Sequence, residues 1–304
     1  MSKNLRMLAS VAAVGLSLSA CGAKGSGDDK KSSEATTAAK ETASAKSTSS
    51  APAASASADA SASYLDKAVT ATASATPSNK GVFKYTFSPA EKPELKMFEP
   101  LFKAGGRIEQ VVGALGVYKM PKDLPVVSGE CGTPNAMYMP NKHAIKLCYE
   151  LAADWYKRFT DLGADDKTAS KSTLDALTFT VLHEMGHALV AELGLGISGG
   201  EEDAVDDFAS LILIQNKKAE WAVAGTLALM QMSKGQKPAY FDEHSIGEQR
   251  LGNVLCLIYG SDPEHQRGII EKVPDLAPRS AKCPTTYQRA DTFWTNALKP
   301  FLGK

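Results

Sequence analysis

His183-Glu184-Met185-Gly186-His187 lies inside a segment, Ser172 to Leu193, whose apolar residues repeat with the period of an amphipathic α-helix. Residues four apart lie on one face of such a helix, so the two imidazoles can bind the same ion. Glu184 lies too far round the helix to join them comfortably, but it is close enough to take a proton from a water beside that ion. The motif therefore predicts a site for one zinc ion with Glu184 as a general base.

Capping residues are found at both ends of this predicted helix. Ser172 with Asp175 resembles a capping start, and Gly194 provides a stop. Gly186 weakens a helix by roughly 1 kcal/mol relative to alanine, so we expect it to allow close approach of another element. The alternative interpretation makes the histidines ordinary helix residues and Glu184 a surface charge.

Zinc needs a further protein ligand, and the acidic segment 201–207 follows a flexible glycine turn. The apolar residues after it predict a second helix that packs back across the first. Glu202 is the expected ligand, because Asp206 then lies one turn later and can accept the free N–H of a ligand histidine. Glu201 remains a competitor, and the acidic residues could also merely complement the helix dipole.

This pattern resembles the gluzincins, the thermolysin-like metallopeptidases in which His-Glu-x-x-His is completed by a glutamate in a Glu-x-x-x-Asp setting. The resemblance implies a zinc peptidase that hydrolyses a peptide or protein substrate. The residues it assigns to the site are the metal ligands His183, His187 and Glu202, the base Glu184, and Asp206 behind a histidine.

Residues from about 82 to 303 also resemble a bacterial family of metallopeptidases known as a domain of unknown function. The shared segments are 131–136, 148–151, 183–187, 201–204, 242–245 and 249–250. This resemblance implies the fold and the metal site but no particular substrate. The metzincin pattern is excluded, because Val190 and Leu193 occupy the places of its glycine and third histidine.

Five polar residues outside the motif carry further predictions. His244 lies just before a capped helix and could act in catalysis as a donor to the oxyanion, with Tyr240 as the alternative donor. A surface loop position for His244 is the competing interpretation. We expect His143 and His265 to be solvated, and Arg250 to anchor an acidic neighbour.

The N-terminus resembles an export signal. A basic start precedes the apolar run 7–18, which is too short to span a bilayer. Leu18-Ser19-Ala20-Cys21 resembles a bacterial lipoprotein box, which implies cleavage after residues 1–20 and lipidation of Cys21; an ordinary signal peptide is the alternative. The expected location is therefore the cell envelope, with the protein lipid-anchored at the outer membrane or cell surface. By resemblance to sorted lipoproteins, Gly22 after the cysteine favours the outer membrane if the cell has one.

Residues 21–80 are predicted to combine the lipidated cysteine with a disordered tether. Between Gly22 and Ser63 there is no Val, Leu, Ile, Met or aromatic residue, so the segment has nothing to bury. Abundant alanine allows a helical alternative, which the serine and threonine runs disfavour. Residues 81–304 suffice for one domain with a substantial core.

Periodicity within that domain predicts the α+β class, with a small antiparallel sheet followed by a mainly helical, zincin-like region. Alternation predicts strands at 82–87, 124–127, 135–139 and 144–148. Helical spacing occurs at 95–115, 151–159, 172–193, 221–232, 246–258 and 293–298. We expect 144–148 to be the edge strand beside the motif helix, the position that binds extended substrate in thermolysin-like enzymes.

Four cysteines remain when Cys21 is assigned to lipid, which in an exported domain predicts two disulfides. Three pairings are possible, and short loops favour Cys131 with Cys148 and Cys256 with Cys283. A cysteine metal site is disfavoured, because no Cys-x-x-Cys occurs.

The charge balance excludes one class of partner. The formal net charge is zero and no basic run adjoins the motif, so nucleic acid is not expected as a partner. Two other functions remain alternatives: an envelope lipoprotein that binds metal or peptide without turnover, and a structural lipoprotein without metal. The sequence leaves the oligomeric state open.

Overall fold

The computed structural model of the chain describes residues 79–103, 105–233 and 247–303. The predicted export signal, Cys21 and the tether lie outside the described residues. So do Tyr240 and His244. No helix of the described segments is both long enough and apolar enough to cross a bilayer.

The described residues form a small sheet followed by a helical region, so the predicted α+β class is confirmed. The strands are β1 (Phe83–Phe87), β2 (Leu124–Gly129), β3 (Ala136–Met139) and β4 (Ala144–Cys148). The helices are α1 (Glu99–Phe102), α2 (Arg107–Ala114), α3 (Tyr149–Asp161), α4 (Asp166–Leu193), α5 (Glu201–Gln215), α6 (Ala219–Ser233), α7 (Gly247–Ser261), α8 (Arg267–Lys272) and α9 (Cys283–Leu298). Short 3-10 segments are Pro93–Phe98, Leu115–Val117, Pro140–Lys142, Pro274–Lys282 and Lys299–Phe301.

The sheet has the strand order β1-β2-β4-β3 and is mixed. Only β3 and β4 pair antiparallel, as a hairpin, whereas β1 with β2 and β2 with β4 are parallel. The predicted antiparallel sheet is therefore wrong for two of the three pairs. Helices in the connection from β1 to β2 bring the chain back in the same direction, and β3 lies outside β4.

This order also changes the edge strand. The predicted edge, 144–148, is β4, which is enclosed by β2 and β3. The strand at the sheet edge beside the motif helix α4 is β3. The prediction of 144–148 as the edge was wrong, because alternation identifies a strand but not its neighbours.

The motif helix α4 begins at Asp166 rather than at the predicted Ser172. Its N-cap is Asp165, whose carboxylate accepts the Thr168 N–H at 2.7 Å. It ends, as predicted, before Gly194, which has the left-handed φ of +62°. The sequence HExxH therefore lies in the last three turns of a long helix packed against α3, α5 and α6.

Gly186 allows the second helix of the site, α5, to cross α4 closely. A Cβ atom at Gly186 would lie 2.9 Å from Val205 Cβ and 3.2 Å from Phe208 Cδ1, which is inside normal contact distance. The turn into α5 uses Gly199, with φ +107°. The expectation that Gly186 serves close approach is thus met, and the crossing brings the first turn of α5 to the motif.

The predicted helix 95–115 is broken. A 3-10 segment and α1 end at Phe102, and α2 begins at Arg107. Gly105, with φ +77°, and Gly106 occupy the break. Helical spacing continues across the gap, so periodicity alone did not reveal it.

Two disulfides join Cys131 to Cys148 and Cys256 to Cys283, in the favoured pairing. The first closes the loop that contains the β3–β4 hairpin. The second ties α7 to the start of α9. Glu150 lies close to the first pair, but the disulfide uses both sulfur atoms, so this group is not a metal site.

Candidate metal centre

The side chains of His183, His187 and Glu202 meet at one point. His183 Nε2 lies 3.2 Å from His187 Nε2. Glu202 Oε2 is 3.3 Å from His183 Nε2, and Glu202 Oε1 is 3.2 Å from His187 Nε2. One candidate ligand atom from each residue lies within 4.8 Å of the others. Two imidazoles and one carboxylate match the protein ligands of catalytic zinc sites that keep a fourth position open.

Two further carboxylates hold the outer nitrogens of these histidines. His183 Nδ1 is 2.8 Å from Asp206 Oδ1, and His187 Nδ1 is 2.7 Å from Glu201 Oε1. A carboxylate accepts, so each Nδ1 donates and each Nε2 can direct a lone pair to the centre. The structure therefore places Glu202 at the centre, whereas Glu201, the competing candidate, lies behind His187.

Arg250 anchors an acidic neighbour, as the sequence analysis expected. Its Nε donates to Asp206 Oδ2 at 2.7 Å, and its Nη2 donates to Asp206 Oδ1 at 2.8 Å. Both side chains are buried. Because Arg250 lies on α7 and Asp206 on α5, this pair fixes the helix that carries Glu202.

The charges of the cluster keep its carboxylates ionised. Burial lowers the pKa of His183, but hydrogen bonds with Asp206 and Glu202 outweigh it and raise that pKa to about 9. Burial raises the pKa of Glu202, yet the hydrogen bonds with His183 and His187 hold it far below its ordinary value. The pKa of Asp206 is also lowered, because His183 and Arg250 outweigh its burial. The carboxylates are thus ionised and face positive partners.

Glu184 lies beside this cluster at the wall of a cavity. Its Oε2 accepts the backbone N–H of Tyr138, on β3, at 2.7 Å, and the side chain is buried. The cavity has a volume of about 140 Å³ and is also bordered by His183 and Glu202. Its apolar walls include Leu151, Trp155, Leu229 and Met232. Glu184, which is not one of the candidate metal ligands, therefore borders a cavity that can receive a side chain.

The structure contradicts the prediction for His143 and agrees with the prediction for His265. His143 was predicted to be solvated, which is wrong, because its side chain is only 14% exposed and lies between Glu192 and the Asp123 carbonyl. The left-handed turn at His143, φ +49°, directs the ring back to α4. His265 is 77% exposed, as predicted.

Sequence reasoning missed two residues, namely Tyr138, which contacts Glu184, and Glu192, which lies about two turns further along α4. The Tyr138 hydroxyl donates to Glu192 Oε1 at 2.7 Å. No local pattern relates a strand residue to the end of a helix more than fifty positions later. Only the docking of the hairpin on α4 brings them together.

Comparison with known proteins agrees with this geometry. The family model DUF4344, described as "Putative metallopeptidase", matches residues 87–298. No curated protein and no solved structure matches the chain. The matched region covers more than half of the chain and contains every described residue of the centre. The chain therefore belongs to the family described as "Putative metallopeptidase".

Proposed function

We propose that the protein is a zinc-dependent metallopeptidase in which His183, His187 and Glu202 hold one zinc ion. Glu184 is the general base. The observation that carries the proposal is the convergence of two imidazole Nε2 atoms and one carboxylate beside Glu184, at the wall of a cavity. Family membership supports metal-dependent peptide hydrolysis in general terms.

The donor set fits a divalent cation. Both Nδ1 atoms are bonded to carboxylates, so both Nε2 lone pairs point into the same space, with Nε2 atoms 3.2 Å apart. Such lone pairs repel each other unless a proton or a metal ion lies between them. Two nitrogens and one carboxylate favour zinc over calcium or magnesium, which prefer oxygen ligands throughout.

A bound zinc ion would supply a Lewis acid and bring the pKa of a neighbouring water near neutrality. Glu184 takes the proton of the attacking water and delivers it to the leaving amine. The Tyr138 N–H holds Glu184 Oε2, which leaves Oε1 for the proton. Asp206, fixed by Arg250, keeps His183 in the required tautomer.

The edge strand β3 provides a surface for an extended peptide. In the β3–β4 hairpin the Cys148 N–H donates to the Asn135 carbonyl, so the backbone of Asn135 faces β4. Backbone direction alternates along an antiparallel edge, so Ala136 and Tyr138 face outward. Ala136 also borders the cavity beside Glu184. An added strand can pair there with Ala136, since the Tyr138 N–H is already donated to Glu184 Oε2, while one of its side chains enters the cavity.

The decisive experiment compares the wild type with Glu184→Gln on a mixed peptide library, with cleavage read by mass spectrometry and zinc by elemental analysis. We expect Glu184→Gln to retain zinc and lose hydrolysis, and the exposed control Glu220→Gln to retain both. A zinc-loaded wild type that cleaves nothing would instead indicate metal or peptide binding without turnover. Lack of zinc would indicate a structural role.

The roles that rest on residues outside the described segments are supported by sequence alone. His244 is proposed as a donor to the oxyanion, with Tyr240 as the alternative. Cys21 is proposed to carry lipid and anchor the protein to the cell envelope. A Cys21→Ser variant should lose fatty-acid labelling and leave the membrane fraction; unchanged labelling would contradict the anchor.

A further inference from the structure

Tyr138 contacts the motif helix at two points. Its backbone N–H donates to Glu184 Oε2, and its hydroxyl donates to Glu192 Oε1, each at 2.7 Å. The two glutamates are eight residues apart, which is just over two helical turns. One residue of the edge strand therefore spans the helix from the proposed base to a second carboxylate.

His143 completes the contact at the tip of the same hairpin. Its Nδ1 bonds the Glu192 oxygen that also accepts from Tyr138, and its Nε2 bonds the Asp123 carbonyl at 3.0 Å. The Asp123 carbonyl and the Glu192 carboxylate both accept, so the ring donates from both nitrogens in this contact. The tip is thereby tied both to α4 and to the residue that precedes β2.

We propose that Tyr138, His143 and Glu192 form a clamp that positions Glu184 and the edge strand for peptide hydrolysis. This role rests on the proposed function. Among the described residues, Tyr138 is the one that donates a hydrogen bond to Glu184. The orientation of the base therefore depends on where the hairpin sits along α4.

The two strands of the hairpin are held unequally. β4 pairs with β2 along its length, from Ile145 to Cys148, and the Cys131–Cys148 disulfide closes the loop at the base of the hairpin. β3, by contrast, is a four-residue edge strand with a sheet neighbour on one side only. The hydrogen bonds of Tyr138 and His143 to Glu192 hold β3 and the tip of the hairpin against α4. The side chains of His143 and Glu192 are only 14% and 15% exposed, so water competes weakly for these hydrogen bonds.

Two conservative variants test the clamp. Tyr138→Phe removes one hydroxyl, and Glu192→Gln keeps an acceptor for Tyr138 but removes the charge that faces His143. The matched control is Tyr156→Phe, because the Tyr156 hydroxyl also bonds a carboxylate at the far end of α4, that of Asp166, at 3.0 Å. All three variants keep the overall shape of the side chain.

The first readout does not need activity. Amide hydrogen exchange at position 138, measured by NMR in metal-free protein, should become about tenfold faster in Tyr138→Phe and remain unchanged in Tyr156→Phe. Unchanged protection at position 138 in Tyr138→Phe would overturn the clamp. Equal acceleration of all α4 amides would also overturn it, because that result shows general destabilisation.

The second readout separates positioning from a structural role. In Tyr138→Phe, kcat should fall about tenfold, while KM and zinc content stay within twofold of the wild type. Glu192→Gln should give a smaller loss of kcat. A wild-type kcat in Tyr138→Phe would refute the positioning role. If the wild type cleaves no peptide, the proposed function fails, and the exchange measurement still decides whether the clamp exists.

Discussion

Replacement of Asp206 by asparagine should weaken binding of the proposed zinc ion, although Asp206 is not one of the proposed ligands. The Asp206 carboxylate is 3% exposed and accepts three hydrogen bonds, one from His183 and two from Arg250. Asparagine offers one oxygen, and its NH₂ group must face a donor. Loss of a carboxylate behind a ligand histidine typically lowers metal affinity about 10- to 100-fold, or roughly 1.4–2.7 kcal/mol.

The same substitution should also destabilise the metal-free fold. Removing one partner of a buried ion pair costs roughly 3–5 kcal/mol, and the retained amide oxygen should keep the loss near the lower end. Zinc affinity is measured by competition with a chromogenic chelator, and the free energy of unfolding by guanidinium titration with the metal removed.

The neighbouring residue provides the control. At pH 8, above the Asp207 pKa of about 7, Asp207→Asn makes the same change of charge one position along α5, on a carboxylate that does not contact His183. We expect its zinc affinity to stay within about threefold of the wild type. An Asp206→Asn affinity within twofold of the wild type would refute the outer-carboxylate argument. An equal loss in Asp207→Asn would assign the effect to net charge.

Other changes test the packing, the disulfides and a titrating carboxylate. Gly186→Ala should reduce zinc affinity about tenfold, because the new Cβ would lie 2.9 Å from Val205 Cβ and displace α5, whereas Gly113→Ala meets nothing within 4 Å. The same chelator competition checks both, and an unchanged affinity in Gly186→Ala would contradict the argument. Replacing Cys256 and Cys283 by alanine should lower the unfolding free energy by roughly 3.5 kcal/mol, given their separation of 27 residues; a loss under about 1 kcal/mol would count against this estimate. Burial, with the charges of Asp206 and Asp203, raises the pKa of Asp207 from 3.8 to about 7. The stability that comes with the protonated carboxyl is therefore fully present below pH 3.8 and is lost as the pH rises through 7. The metal-free Asp207→Asn variant should be more stable than the wild type at pH 8 and equally stable at pH 3.5. Denaturant titrations at the two pH values would reveal the difference.

The helices of the site were predictable because their signals are local. Apolar periodicity and Gly194 located the motif helix, and the spacing of Glu202 and Asp206 indicated which turn of α5 faces it. The start of α4 was missed because Ser172 also resembles a cap, whereas the residue that caps the helix, Asp165, lies about two turns earlier. The choice between Glu201 and Glu202 depends on helix phase, since adjacent residues point about 100° apart.

The sheet was less predictable because its order is set by distant contacts. Alternation identified Ala144–Cys148 as a strand, but only the assembled sheet shows that β4 is internal and β3 is the edge. His143 looked like a solvated loop residue for the same reason. Its partner, Glu192, lies on another element, and a left-handed backbone directs the ring to it.

The Cys131–Cys148 disulfide affects when such a peptidase could become active. The covalent closure of the strand pair that carries Tyr138 requires an oxidising compartment. In a reducing compartment Cys131 and Cys148 would remain thiols, and the hairpin would keep only its pairing with β2 and its hydrogen bonds to the motif helix. If the proposed export holds, covalent closure of the hairpin would follow it, and newly made chains would lack this closure while surrounded by cytosolic proteins.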